Sequence, residues 1–233
     1  MVDREERFEL MFEVVASVLG EGAITVLDLG CGPGSLGSRL VRRFPEATVI
    51  GVDLDPVLLE LAGGAWREDP RLRWVNADLG SGGWIGQVPY SGGFDAALST
   101  TALHWLTLDQ LTRLYADLAR LLRPGGVFLD GDHCRFPGAP RLEAAAQRVH
   151  EMVRGRRTRP VVEGETWGDW WDAIRAEPQL ADAVAERDRI GHAHRDRAQV
   201  DDAEHCRRLR AAGFSEAATL WQQGDERILA AVR

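Results

Sequence analysis

Short apolar runs alternate along the chain with longer stretches whose apolar residues recur at helical spacing. Phe8, Met11, Phe12, Val15 and Leu19 lie three or four apart, which predicts an amphipathic helix over Arg7–Leu19 ending at Gly20 and Gly22. Ala23–Leu29 is apolar except for Thr25 and Asp28, as a strand covered on both faces requires. Ser35–Phe44 reads as a helix stopped by Pro45, and Ala47–Val52 as a second strand. Leu58–Trp66 reads as a helix, with Asp55 as its N-cap and Pro56 at its first position. Leu72–Asn76 is a third strand, and the glycine-rich stretch Gly80–Gly93 is a loop with a short or irregular helix near Trp84 and Ile85. Phe94–Ser99 is a fourth strand. Leu108–Leu122 places Leu111, Leu114, Tyr115, Leu118 and Leu121 on one helical face, and Val127–Asp130 is a fifth strand.

The alternation breaks at residue 131 and resumes at 201. Asp201–Ala212 reads as a polar helix stopped by Gly213. Phe214–Trp221 and Arg227–Val232 read as strands joined through Gly224-Asp225, a hairpin signal. Strands alternating with helices predict an α/β sheet. The expectation is one domain made of residues 1–130 and 201–233, with 131–200 as a helical insert or lid.

Composition narrows the function classes. A formal charge of −8 gives no general basic footprint for nucleic acid. No run of eighteen apolar residues predicts a spanning helix. The charged Met1–Arg7 lacks the apolar core of a signal peptide. Cys31, Cys134 and Cys206 are widely spaced, which predicts a reduced cytoplasmic protein without disulfides or a CxxC metal site. The chain has no lysine, which excludes Schiff-base chemistry and a P-loop lysine.

The candidate chemistry starts at the first turn. Gly30, Gly32 and Gly34 alternate between a strand and a helix, and Ser35 can serve the helix start. Asp28 sits at the carboxyl end of a central strand, where such sheets bind ligands. Asp53 ends the second strand roughly twenty residues on, where an acid accepts hydrogen bonds from a ribose diol. Gly32, Gly34 and Gly37 also satisfy the dinucleotide fingerprint. A carboxylate at Asp28 would repel a pyrophosphate, whereas it suits an ammonium or sulfonium group.

Asp28-Leu29-Gly30-Cys31-Gly32-Pro33-Gly34 resembles motif I of the class I S-adenosylmethionine-dependent methyltransferases. Ala102-Leu103-His104-Trp105 is similar to a segment of the trans-aconitate and malonyl-carrier types, and Leu121-Leu122-Arg123-Pro124-Gly125-Gly126 also resembles the family. The resemblance covers residues 7–130 and 201–233. It implies a Rossmann-like, doubly wound, seven-stranded mixed sheet of order 3-2-1-4-5-7-6, closed by an antiparallel pair that a dinucleotide dehydrogenase normally lacks. It implies S-adenosyl-L-methionine as cofactor, S-adenosyl-L-homocysteine as product and a small-molecule acceptor. Carried over residue by residue, it implies that Asp28, Gly30, Gly32 and Gly34 form the cofactor turn. Asp53 would then accept from ribose, Leu54 pack on adenine, Asp78 accept from the adenine amino group beside Leu79, and Ser99 border the methionine end. The alternatives are a cofactor-binding module without turnover and an NAD(P)-dependent oxidoreductase.

A hydroxyl or ammonium acceptor must lose a proton, and His104 and His133 are the candidates to take it. For a carboxylate or carbon nucleophile either histidine would only orient it. The resemblance implies that Trp105 borders the donor methyl, and Trp167, Trp170 and Trp171 of the insert are expected to wall the substrate. Arg154, Arg156, Arg157 and Arg159 form a run that is either solvated or binds an anion. His192, His194 and Asp196 have ligand residue types, but they lie in a polar stretch where solvation is the expectation, so no metal is expected.

Overall fold

The structure is a computed structural model that describes residues 2–90, 92–157, 166–191 and 200–233. Strands β1 (Thr25–Leu29), β2 (Thr48–Asp53), β3 (Leu72–Asn76), β4 (Phe94–Thr100), β5 (Leu122–His133), β6 (Glu216–Gln223) and β7 (Glu226–Val232) form one sheet. Its order is β3-β2-β1-β4-β5-β7-β6, as the resemblance implies. The β1–β5 ladders are parallel, and β7 runs antiparallel to both β5 and β6. The helices are α1 (Val2–Leu19), α2 (Ser35–Arg43), α3 (Pro56–Ala65), α4 (Leu108–Leu121), α5 (Pro140–Arg157), α6 (Trp167–Ala176), α7 (Ala181–Ile190) and α8 (Asp202–Ala212).

The central strands are apolar on both sides because both faces are covered. Leu27 and Leu29 of β1 join Phe128, Leu114, Tyr115 and Leu209 in one core. Val26 joins Phe8, Met11, Val15, Leu36 and Leu40 in the other. Each fully buried side chain of this kind contributes roughly 1.5–3 kcal/mol. The helix ends follow local chemistry. Asp55 caps α3 by accepting from the Val57 and Leu58 amides at 3.0 and 3.4 Å, with Pro56 first in the helix. Thr107 and Gln110 close a capping box on α4.

Two features depart from the expected elements. β5 runs to His133, because β7 supplies backbone partners from Val127 onward, up to Glu226 opposite His133. Residues 131–133 therefore belong to the sheet, and the non-sheet segment starts at Cys134. At the other end of β5, Gly125 donates to the Arg233 carbonyl at 2.8 Å, and the Arg233 amide to Gly126 at 2.9 Å. The chain's last residue is thus pinned to the turn that opens this strand. The segment beyond β5 carries α5, α6 and α7, and α7 has no buried residue. α7 packs on α3, where Arg187 Nε lies 2.6 Å from Asp55 Oδ2. No described helix is long and apolar enough to cross a membrane.

Candidate active site

The turn after β1 is fixed to β2. The Gly30 and Cys31 amides donate to the Val52 carbonyl at 2.8 and 3.1 Å, and the Gly32 amide to Asp53 Oδ2 at 2.8 Å. Gly30 has φ +69°, and a Cβ there would lie 2.3 Å from the Ala102 methyl. Glycine is required both by the backbone and by the close approach of the loop leaving β4. Gly34 has φ +80°, and a Cβ there would strike the Trp74 ring at 2.5 Å. Gly34 is also the N-cap of α2 and offers no side chain to its amides. Asp28 supplies one acceptor from below, since its Oδ2 accepts from the Gly37 amide at 3.2 Å. Ser35 does not cap the helix; its carbonyl accepts from Ser38 and Arg39.

Asp28 is fully buried, and its Oδ1 has no hydrogen-bond partner among the described residues. Burial pushes its carboxyl up to about 7, against the Gly37 bond that favours the charge. Asp53 bridges two backbone segments, accepting from Gly32 and, at 2.9 Å, from the Asp55 amide. Burial raises its pKa as well, and the neighbouring Asp55 adds to this. The Asn76 amide holds the Leu54 carbonyl at 3.0 Å, so Leu54 is set at the end of β2 by a residue of β3. Asp78 accepts from the Gly80 amide at 2.8 Å, and the half-buried Leu79 packs on the core beside it. Ser99 is buried and donates to the Leu29 carbonyl at 2.9 Å, tying β4 to β1. The three strand ends thus bring Asp28, Asp53 and Asp78 to one edge of the sheet.

The loop leaving β4 carries the second group. Thr101 adopts φ +50°, left-handed for a side chain that rarely accepts it, and its amide donates to Gly131 at 3.0 Å. The 3₁₀ turn Leu103–Trp105 follows. His104 Nδ1 lies 2.8 and 3.0 Å from the two carboxylate oxygens of Asp132, and its amide donates to the same carboxylate at 3.2 Å. Burial opposes ionisation of Asp132. The His104 bonds and the His133 amide outweigh it and hold this carboxyl below its ordinary range. Two residues back, buried Asp130 goes the other way, raised by burial and by Asp132, with only Arg7 opposing.

Asp132 is a candidate site residue that the sequence reading missed, since it holds His104. The apolar run ends at Asp130, so Asp132 fell into the segment read as insert, although Asp130 and Asp132 alternate onto one face of β5. His133 points to the other face. Its Nδ1 lies 3.2 Å from Asp225 Oδ2 in the β6–β7 turn, and its ring packs edge-on against His150 of α5. The two histidines therefore do not converge: His104 faces Asp132, whereas His133 is engaged by Asp225, which raises its pKa.

Trp105 is 44% exposed, with its ring 5.4 Å from that of His104. Trp171 stacks under the Arg187 guanidinium at 3.8 Å, and Trp170 meets Trp171 edge-on at 4.9 Å. The described contacts thus link these tryptophans, through Arg187 and Asp55, to the end of β2. Trp167 opens α6. His192, His194, Asp196, Arg159 and the side chains of Trp167, Arg154, Arg156 and Arg157 lie outside the described residues. Among the described residues no group of three metal-ligating side chains is assembled.

Residues 26–126 match the family described as methyltransferase domain. A trans-aconitate 2-methyltransferase of Azoarcus sp. is 38% identical over 53% of this chain and 44% of its own length. That of Deinococcus radiodurans is 41% identical over 44% of this chain and 35% of its own length. A malonyl-[acyl-carrier protein] O-methyltransferase of Halalkalibacterium halodurans is 30% identical over 45% and 37% respectively. The matched part of the chain thus spans under half of each of these relatives. In structure, the magnesium protoporphyrin IX methyltransferase of Synechocystis, solved with S-adenosylhomocysteine, aligns over 99% of this chain and 83% of its own. Its TM-score is 0.59 at 16% identity. An O-methyltransferase family protein from Burkholderia thailandensis aligns over 97% and 55%, with TM-score 0.60 and 18% identity. The chain therefore shares the fold of these solved methyltransferases, and its residues 26–126 match a methyltransferase domain.

Proposed function

We propose that this chain is a class I methyltransferase that moves the methyl group of S-adenosyl-L-methionine to a small-molecule acceptor and releases S-adenosyl-L-homocysteine. The observation that carries the reading is the joint placement of Asp28, the glycine turn, Asp53 and Asp78 at one sheet edge, beside the loop that presents His104. The residues fit the cofactor. Asp28 is a buried acid with an unpartnered oxygen under the turn, suited to a nearby ammonium or sulfonium charge. Asp53 keeps lone pairs beyond those used by Gly32 and Asp55, so it can accept from a ribose diol. Leu54 and Leu79 supply apolar contact for adenine, Asp78 an acceptor for its amino group, and Ser99 and Trp105 border the methionine side. The cofactor supplies an electrophilic methyl carbon. The protein supplies alignment of acceptor and methyl, an effect worth up to about 7–11 kcal/mol.

The trans-aconitate and malonyl-carrier relatives support an acceptor of metabolite size, and the three free cysteines support a cytoplasmic setting. The dinucleotide reading is disfavoured by the Asp28 carboxylate and the antiparallel β6–β7 pair. Calorimetry tests the proposal: S-adenosylmethionine and S-adenosylhomocysteine bind one site, and NAD does not. NAD binding in their place would overturn it. Turnover of labelled S-adenosylmethionine on an acceptor panel separates an enzyme from a binding module.

A further inference from the structure

We infer that α6 and α7 form a lid over the adenosine end of the cofactor site, latched by Arg187, and that the cofactor enters and leaves only while the latch is open. The inference rests on the methyl-transfer reading above and concerns exchange at that same site. The sheet order carries it first. The chain leaves the sheet at the end of β5, and β4 and β1 lie between β5 and β2. α5 stays on the β5 side, packed on α1 and β6. The Gly224 backbone comes so near it that a Cβ would lie 2.7 Å from the Ala146 carbonyl. α7 instead packs on α3, the helix that follows β2. The next helix, α8, is again on the β5 side, against α4, β6 and β7. α7 thus sits across the glycine turn both from the strand its segment leaves and from the helix it leads to.

The latch is seated beside the candidate cofactor residues. Asp55 divides its carboxylate: Oδ1 accepts from the Val57 and Leu58 amides, and Oδ2 takes Arg187 Nε at 2.6 Å. The Asp55 amide donates to Asp53 Oδ1 at 2.9 Å, and Leu54 lies between the two acids. Arg187 therefore grips a residue next to the proposed adenine contact and two from the proposed ribose acceptor. Its guanidinium also stacks on Trp171 at 3.8 Å, so one side chain ties α7 to both α3 and α6. Arg175 of α6 and Asp188 of α7 add two bonds at 2.7 Å, which join the two helices into one unit. Yet α7 buries no residue. A helix held by point contacts opens far more readily than the core beneath it. The described contacts of Arg187 join protein to protein. Breaking them raises the open fraction of the free and bound states alike, so entry and exit quicken together while affinity holds.

The test follows exchange of S-adenosylhomocysteine on the full chain by stopped-flow tryptophan fluorescence, with calorimetry for Kd. In Arg187→Met, association and dissociation are both expected to quicken by about ten- to a hundredfold, as loss of an ionic hydrogen bond from the closed state implies, with Kd close to that of the parent. Asp55→Asn keeps an acceptor for the α3 amides and weakens the hold on Arg187. It is expected to quicken both rates in the same way, and the double variant to add little, because both substitutions open one latch. Parent-level rates in Arg187→Met would overturn the inference. So would faster dissociation with an unchanged association rate, which makes Arg187 a support of the closed pocket and not a gate. Fully additive effects in the double variant would uncouple the two residues and sink the latch. A parent chain that binds neither S-adenosylmethionine nor S-adenosylhomocysteine strikes the methyl-transfer reading and the lid with it. Normal binding with parent-level exchange in Arg187→Met strikes the lid alone.

Discussion

Two helices of similar role, α4 beneath the sheet and α7 over its edge, are held by different forces. α4 buries Leu111, Leu114, Tyr115 and Leu118 against β5 and α8. α7 buries none of its residues and is held at Arg187, clamped between the Asp55 carboxylate and the Trp171 ring. Apolar packing is close, contiguous and indifferent to salt. A charge clamp is a point contact that opens without disturbing the core. The difference predicts that α4 unfolds with the sheet, whereas α7 opens without it.

The largest effect that would test this contrast comes from matched truncations. Phe128→Ala empties a fully buried site in the sheet and is expected to cost about 3–5 kcal/mol of global stability. Leu142→Ala on α5, where the side chain is 64% exposed, is expected to stay within about 0.5 kcal/mol. Urea denaturation reads both. A cost above about 2 kcal/mol for Leu142→Ala would mean that the insert shares the core's cooperativity, and the contrast would fail.

A second test asks whether the packed half carries the cofactor. Asp53→Ala removes the acceptor that bridges Gly32 and Asp55 as well as the proposed ribose contact. The expected loss of affinity for both cofactor forms is about 1.5–3 kcal/mol, as for a hydrogen bond to a charged group. Calorimetry giving parent affinity for both forms would remove Asp53 from the site.

The contrast also explains what could be read from sequence. In the packed half, each strand and helix announces itself through its apolar period, and caps such as Asp55-Pro56 mark their own ends. β3 coincides with its expected span, and most other ends shift by a residue or two. The exceptions are α1 at its start and β5 at both ends. The sequence reading ends β5 early because Gly131, Asp132 and His133 lack the apolar signature; pairing with β7, and with β4 at Gly131, makes them a strand. The candidate cofactor acids are legible because a strand end places its last residues at the sheet edge. The His104–Asp132 pair is not, because the two residues are 28 positions apart and meet through the register of β4 and β5. Arg187 and Asp55 are 132 apart, and no local pattern couples them. His133 was grouped with His104 by residue type, whereas strand alternation sends it to the opposite face.

The clamp itself gives the third test. Arg187→Met keeps the stem's contact with Trp171 and removes the charge facing Asp55, both side chains being mostly buried at 16% and 8% exposure. The expected cost is about 1.5–3 kcal/mol, felt locally. Amide exchange in α6 and α7 should quicken by roughly ten- to a hundredfold, while β1 to β5 keep their protection. Unchanged exchange in α7 would show that the clamp does not hold the insert.

The smallest effect sets two acids against each other. Asp55 answers its partial burial with a guanidinium, whereas Asp28 has only the Gly37 amide and an unpartnered oxygen. Burial therefore governs Asp28 and lifts its carboxyl to about 7. The unfolded chain releases that proton near pH 4, at about the ordinary value. Asp28's contribution to stability thus falls as pH rises from about 4 to 7, and is flat above. Cofactor binding has the opposite sign. A cationic ligand near Asp28 favours the ionised acid, so binding below pH 7 must expel a proton. Affinity for S-adenosylmethionine should be about tenfold weaker at pH 6 than at pH 8, or about 1.4 kcal/mol. The proton itself is visible as a dependence of the calorimetric heat on the buffer's ionisation enthalpy. Asp28→Asn keeps an acceptor for the Gly37 amide and cannot ionise, so its affinity should be flat across the same range. If the parent is equally flat and expels no proton, Asp28 is a cap for α2 and nothing more, and the cation must be met elsewhere along the turn.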